Sequence, residues 1–552
     1  MLWLGTGAVS KNPFDFDKLV MSPARDMVRT AQLGAQLSRA FSGWGLKRQL
    51  EQQGYDPMTV EAAVEAVKAG RDPEPILQHA RRAYALRDKQ DAMRRNPPPI
   101  HGSARWATPP ELAAQRLLRP VDGRSLSLGQ VGGQPLTWDG ESHLLTIAPT
   151  RTGKSTMQIV PNLLTYQGAA VVLDPKGELY HHTAAWRRQH VGPVHVLNPF
   201  GIAGIPASNA FNPLDGVTDS QSALELAEIL YPRTHDDRQQ FFENEAVALL
   251  TAVIEFTARF APDGQRNLGT IRDALSTLDG DLYGLVKAMA ADVMPASIQN
   301  AARNFLTKSR ETGQPRVLDS LNTHLRIWDS EGLRQATART DFRFEDLKAR
   351  PATVYLVLPF AKIGAYSTFV RMLFATALDA MLHNPHQPAI PVLFVLDEFL
   401  ALERDDRFIK ALRTHASAGV RLWFFLQDLP TLEQKYPTTW KSFLQVETKT
   451  FFGTDDPYTA ELISGYLGDQ TIAYETPNMS ASTTGGASAS TGFSISENLH
   501  LQGRRLLTPD EVIASLRGDA SGRPAIHFLR NLRPIQAQLT PWFTNPALQA
   551  RS

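Results

Sequence analysis

Three short stretches of the chain carry the residue types that chemistry on a phosphate requires. The first is Ala148-Pro149-Thr150-Arg151-Thr152-Gly153-Lys154-Ser155-Thr156. It has the spacing G-x-x-x-x-G-K-[ST], with alanine in place of the first glycine. In such a loop the N–H groups of Thr150, Arg151, Thr152, Gly153, Lys154, Ser155 and Thr156 turn inward around phosphate oxygens, helped by the positive end of the next helix. Lys154 would reach the β- and γ-phosphates of ATP, and the Ser155 hydroxyl would ligate Mg2+. Gly153 must lack a side chain so that the backbone can come close. Ala148 restricts the loop's freedom at its first position.

The second stretch is Asp397-Glu398, which ends the apolar run Val392–Leu396. Asp397 would hold Mg2+ through water, and Glu398, in a drier setting, would accept a proton from the attacking water. Capping of the following helix is the plain alternative, and the phosphate loop weighs against it. The third is Gln427, at the end of Arg421–Gln427. Its amide would sense the γ-phosphate or orient the water, unless it is only a polar strand end. Asp174, Lys176 and Glu178 follow the run Ala169–Leu173 and would face the same edge, either as phosphate-side groups or as a solvated turn. His181-His182 beside Glu178 lacks the H-E-x-x-H spacing and a third ligand, so no metal is assigned there.

These stretches need elements to hold them. LLTIAPT, AAVVLDP, VHVLNPF, TVYLVLP, VLFVLDEF, RLWFFLQD and TKTFFGTDD are continuous apolar runs separated by helical patterns. Unbroken runs suit strands buried on both faces of a parallel sheet, so the expected fold is α/β with flanking helices. Residues 1–100 read as a helical segment: Asp56-Pro57 and Asp72-Pro73 are helix starts, Val60, Val64 and Val67 follow at helical spacing, and Pro97-Pro98-Pro99 ends it. The nucleotide-binding domain then occupies 101–257 and 341–552. An all-helical insertion is expected over 258–340 and a flexible Ser/Thr/Gly loop over 476–496.

Composition narrows the function classes. The 552 residues fit two to four domains. The formal charge of +1 excludes a strongly basic nucleic-acid coat, and the absence of cysteine excludes disulfide frameworks, thiolate zinc sites and cysteine nucleophiles. No run is long enough to read as a membrane span or a secretion signal. The expectation is a soluble, cytoplasmic chain.

Taken in order, HGSARWAT (His101–Thr108), APTRTGKST, VVLDPKGELY, NPF (Asn198–Phe200), FNPLD (Phe211–Asp215), TVYLVLP, VLDEFLAL, GVRLWFFLQDLPTLEQKY and RRLLTPDEV (Arg504–Val512) resemble the coupling-protein family of conjugation and type IV secretion, the TraG/VirD-type ATPases. The resemblance spans roughly 450 residues. It implies a RecA-like motor domain interrupted by a helical domain, working as a hexameric ring that spends ATP to move DNA, DNA–protein complexes or effector proteins into a secretion channel. The implied partners are single- or double-stranded DNA, relaxosome or effector proteins, and channel components. The implied location is the cytoplasmic face of the inner membrane. By the resemblance Lys154 and Ser155 take the phosphate-loop roles, Asp397 and Glu398 the second nucleotide motif, and Gln427 the glutamine after it.

Members usually carry N-terminal transmembrane helices, where this chain has a soluble helical segment. A neighbour-supplied arginine has no clear match, with Arg413, Arg421 and Arg151 in plausible regions. The basic stretch Arg81, Arg82, Arg87, Lys89, Arg94 and Arg95 would suit DNA phosphates, or is an ordinary solvated helix face with Asp88 and Asp91 interspersed. Two rivals share parts of this reading: a double-stranded DNA pump of the FtsK/HerA type, and a nucleotide-binding adaptor with little turnover, which Ala148 would favour.

Overall fold

The computed structural model describes the whole chain except residues 1–43, 233–239, 277–279, 485–489 and 520. Two compact units are present: residues up to 103 with 470–504, and Ala104–Asp469 with Arg505–Ser552.

The larger unit is built on an eleven-stranded sheet. Its strands, in chain order, begin with β1 (Leu126–Val131), β2 (Gln134–Trp138), β3 (Leu144–Ile147), β4 (Ala170–Asp174) and β5 (Val194–Leu197). They continue with β6 (Thr353–Val357), β7 (Val392–Leu396), β8 (Val420–Leu426) and β9 (Thr448–Phe451). The long strands β10 (Asp469–Thr484) and β11 (Ser490–Arg505) form a separate pair, and β12 (Arg523–Leu529) and β13 (Ile535–Leu539) return to the main sheet. Its spatial order is β2-β1-β13-β12-β9-β3-β8-β7-β4-β6-β5. From β9 to β5 every neighbouring pair is parallel. From β9 outward through β12, β13, β1 and β2 every pair is antiparallel.

The apolar runs become strands because both faces are covered. Strands β4, β6, β7 and β8 are buried at every position. Alternate side chains go to different layers: Val392, Phe394 and Leu396 join one core with Val171 and Leu173, while Leu393 and Val395 join the other with Ala170 and Val172. This is the period of two that a pleated strand imposes.

Between β5 and β6 the described residues form no strand, only helical pieces such as Ser220–Leu230, Gln240–Phe260, Ala296–Thr307 and Gly313–Leu325. The helical run therefore opens at Ser220, well before residue 258. Leu226, Leu230, Val253, Leu318 and Leu321 carry it into the same core as one face of the sheet.

In the smaller unit, helices Trp44–Gln52, Pro57–Lys68 and Glu74–Arg95 pack around Leu50, Val60, Ala63, Val64 and Leu77. Asp56 caps the second by accepting from Met58 N and Thr59 N, both at 3.0 Å. Two of the basic side chains in the third helix are engaged locally: Arg81 donates to Tyr55 and Glu74, and Arg94 pairs with Asp91 and Glu475. The segment 476–496, expected as a loop, is instead strand on both arms of the β10–β11 pair, with 485–489 outside the described residues. Its Ser and Thr residues offer little to a core, but a backbone ladder needs only N–H and C=O groups. Among the described residues no helix is long and apolar enough to cross a membrane.

Candidate nucleotide-binding site

Parallel pairing brings the candidate residues to one edge. Ile147 of β3 is in register with Leu426 of β8 and Phe451 of β9, Leu396 of β7 with Phe424 of β8, and Leu173 of β4 with Leu396. The segments that follow these strands are the phosphate loop, Gln427, Asp397-Glu398 and Asp174, so all of them emerge at the carboxyl ends of adjacent strands. Ligands collect there in open α/β sheets.

The loop's backbone explains its sequence. Left-handed conformations fall at Arg151 (φ 60°) and Gly153 (φ 94°) and not at Ala148. Ala148 therefore needs no glycine. Its N–H donates to Leu426 O at 3.0 Å, and its methyl group packs with Met157, Phe452, Ala525 and Leu539. A side chain at Gly153 would press on Thr156 and Met157 within 3.1–3.3 Å. Thr152 braces the loop by donating to Pro149 O at 2.6 Å. The Lys154 ammonium is folded under the loop, donating to Ala148 O at 2.8 Å and Pro149 O at 3.2 Å. Ser155 opens a π-helical turn over Ser155–Ile159, and Pro161, which has no N–H to give, follows in the short helix Val160–Leu163.

Across from the loop, Asp397 is buried and accepts from Glu398 N at 3.1 Å. Burial, reinforced by Glu398 and Asp174, pushes its pKa up to about 7 against the pull of Lys154 and Lys176. Glu398 sits in the left-handed region (φ 53°, ψ 40°) and accepts from Gln427 Nε2 at 2.7 Å. Burial lowers the Lys154 pKa, and the charges of Glu398 and Asp397 oppose that shift. These mutual influences place Lys154, Asp397 and Glu398 in one electrostatic site.

The remaining candidates separate by position. Asp174 is buried and accepts from Tyr180 N at 2.8 Å, so it holds the start of the helix Glu178–His190. Burial raises its pKa to about 6 although backbone amides draw it down. Lys176 and Glu178 are exposed. Arg421 is not at this edge: fully buried at the opposite end of β8, it donates to the carbonyls of Gly140, Arg124 and Asp139, each at 2.8 Å. Arg413 is exposed near the end of the helix Arg407–Thr414, which leads back to that opposite edge, and Arg151 is exposed within the loop. Sequence reasoning missed Gly453. Its φ is +64°, and a Cβ there would lie 2.7 Å from Thr152 Cγ2. A glycine just past an apolar run was the available signal.

The donor set fits Mg2+. Ser155 and Asp397 offer oxygen only, as that hard cation prefers, and the buried Asp397 carboxylate needs a compensating cation. Among the described residues no three His, Asp or Glu side chains converge to cage a metal.

A mostly parallel sheet flanked by helices, with a phosphate loop after one strand and an acidic pair after a near neighbour, defines a RecA-like P-loop α/β protein. The chain belongs to the family described as type IV secretory system conjugative DNA transfer, whose model matches residues 104–552. VirD4 of Rhizobium radiobacter is 26% identical over 436 residues, covering 75% of this chain and 60% of that protein. A conjugal transfer protein TraG of Escherichia coli is 26% identical over 463 residues, with 75% and 71% covered. The chain thus spans less than two thirds of the VirD4 relative's length. Among solved structures, the plasmid coupling protein TrwB in complex with ADP and Mg2+ aligns with a TM-score of 0.53 at 17% identity, covering 79% of this chain and 94% of that one. TrwB in complex with a non-hydrolysable ATP analogue aligns at 0.55, covering 79% and 93%.

Proposed function

We propose that the chain is the ATP-hydrolysing coupling protein of a conjugation or type IV secretion system, recruiting DNA, DNA–protein complexes or effector proteins and driving them toward the secretion channel. The observation that carries this reading is the convergence of Lys154, Asp397, Glu398 and Gln427 at one sheet edge, in a member of the conjugative DNA transfer family. The TrwB structures add support, since TrwB is seen there in complex with ADP and Mg2+ and with an ATP analogue.

In this mechanism the loop amides from Thr150 to Thr156 hold the phosphates. Lys154 leaves the Ala148 and Pro149 carbonyls and turns to the β- and γ-phosphates. Ser155 and Asp397 are the residues that would hold Mg2+, whose contribution when bound is neutralisation of phosphate charge. Glu398 takes the proton of the attacking water, and the Gln427 amide, already 2.7 Å from the Glu398 carboxylate, orients that water or reads the γ-phosphate. An adaptor without turnover would have no use for this glutamine–glutamate contact. Ala148, the feature that favoured the adaptor, is not among the positive-φ positions where a glycine would be needed.

The working form is a hexameric ring at the cytoplasmic face of the inner membrane. Relaxosome or effector proteins would be its cargo partners. The test is steady-state ATP hydrolysis by the purified chain with and without single- and double-stranded DNA, beside Lys154→Ala. Turnover that rises with DNA and is lost in the variant is expected. Nucleotide binding without turnover under every condition, in a chain shown by mass to form its ring, would sink the motor reading in favour of the adaptor.

A further inference from the structure

We infer that Arg523 is a nucleotide-binding residue, a second cation on the phosphate chain lying outside the phosphate loop, Asp397-Glu398 and Gln427. The inference rests on the nucleotide reading of this edge. Strand β12 runs antiparallel to β9, with Ile526 opposite Phe451 and His527 opposite Thr450. Arg523, the first residue of β12, is carried by that register past the end of β9 to the edge where the parallel strands finish.

The glycine at 453 makes the juxtaposition visible. A carbon atom placed at its Cβ position would lie 2.7 Å from Thr152 Cγ2 and 3.5 Å from Arg523 Nη1. One atom would touch both, so the guanidinium flanks the phosphate loop with only the bare Gly453 between. The acids are on the other flank, since β8 and β7 follow β3 in the direction away from β9.

The Arg523 guanidinium is half-buried, and among the described residues it makes no hydrogen bond or ion pair. Its charge is felt by the Asp519 carboxylate, but more weakly than the hydrogen bonds from Ser521. One oxygen of that carboxylate accepts from Ser521 N at 2.8 Å and Ser521 Oγ at 2.5 Å. Its position is set by packing: a Cβ at Gly518 would meet Arg523 Cγ at 2.7 Å, so the chain turns tightly around the stem. The buried arginines of this unit, Arg187, Arg371 and Arg421, donate to carbonyls and hydroxyls. A planar fork of donors without a partner, held beside a loop shaped for phosphate, is suited to bidentate phosphate recognition. Because it sits on the flank away from the acids, it would serve ADP as well as ATP.

The experiment uses the full chain with Mg2+ and either ATP or ADP, reading nucleotide affinity by competition with a fluorescent ATP analogue and thermal midpoints with and without nucleotide. Arg523→Ala is expected to weaken both nucleotides about tenfold, as loss of a charge-assisted contact does. Its nucleotide-free midpoint should stay at the wild-type value, and Arg523→Lys should recover part of the affinity. Wild-type affinity in Arg523→Ala overturns the inference, as does a nucleotide-free midpoint that falls in step with affinity, which marks a structural role. Absence of nucleotide binding by the wild type, matched by Lys154→Ala, overturns the nucleotide reading itself and this inference with it.

Discussion

Arg421 and Lys154 are buried cations at opposite edges of one sheet, 0% and 6% exposed, and they are held in different ways. Where the parallel strands begin, Arg421 is engaged by three carbonyls and Arg187 by three carbonyls and a hydroxyl, while Lys348 donates to the carbonyls of Met381 and Asn384. For Arg187 and Lys348 these include carbonyls at helix ends, Leu163 and Met381, whereas Arg421 takes the carbonyls of turns flanking β1 and β2. Where the strands end, helix starts and loop amides face outward and Lys154 rests on two carbonyls of its own loop. Two carboxylates stand near it, Asp397 accepting from Glu398 N and Glu398 from Gln427 Nε2. At one edge the buried cations have their donors taken up by carbonyls. The other retains unused bonding capacity, which is what a ligand needs.

That contrast can be broken at either edge. The largest effect is expected from Glu398→Gln: ATP turnover should fall about 10³-fold, the scale of a lost general base, with ATP affinity nearly unchanged. Steady-state phosphate release beside a binding titration checks this, and a wild-type rate would remove Glu398 from the role of base. Next comes Arg421→Ala, which removes a fully buried side chain that bridges three carbonyls and should cost about 3 kcal/mol in urea denaturation. Lys154→Ala, by contrast, should shift stability by less than about 1 kcal/mol while abolishing turnover. Equal destabilisation by the two would erase the distinction between the edges.

A third effect is smaller and depends on pH. Asp397 titrates at about 7 in the folded, nucleotide-free protein, against an ordinary 3.8. The folded state therefore keeps a proton that the unfolded chain has released, and stability falls as pH rises from about 4 to about 7. Asp397→Asn removes that slope and should stabilise the metal-free protein at pH 8 by about 2 kcal/mol. Asp174, at about 6, leaves a residual slope ending at lower pH. Melting across that range is the measurement, and parallel curves for the two proteins would contradict the assignment. Smallest is Gln427→Ala, expected to lower turnover about tenfold with affinity for ATP preserved, since it releases Glu398 without removing it.

Legibility in the sequence followed burial. The parallel strands were readable from largely apolar runs, least clearly at β9, whose residues are Thr448-Lys449-Thr450-Phe451, and Lys154, Ser155, Asp397, Glu398 and Gln427 were readable because each lies just past such a run. The antiparallel strands were missed: β1 and β2 are short, mix polar with apolar residues, and were betrayed only by Gly132-Gly133, whose φ values of 58° and 80° make the hairpin turn. Gly453 and Arg523 were beyond sequence reasoning for a different cause. They meet Thr152 through the pairing of β12 with β9, and no local pattern records which strands become neighbours.

Ala148 is where a motif and a molecule part company. In a pattern it is a defect; in the fold it is a foundation bolt. Its methyl group packs the root of the phosphate loop against Phe452, just past β9, and against Ala525 and Leu539 on the antiparallel strands β12 and β13. Restoring the missing glycine would grant freedom that this position does not use and leave a methyl-sized hole costing about 1 kcal/mol. A change in the packing of β12 and β13 would thereby be felt at the root of the phosphate loop.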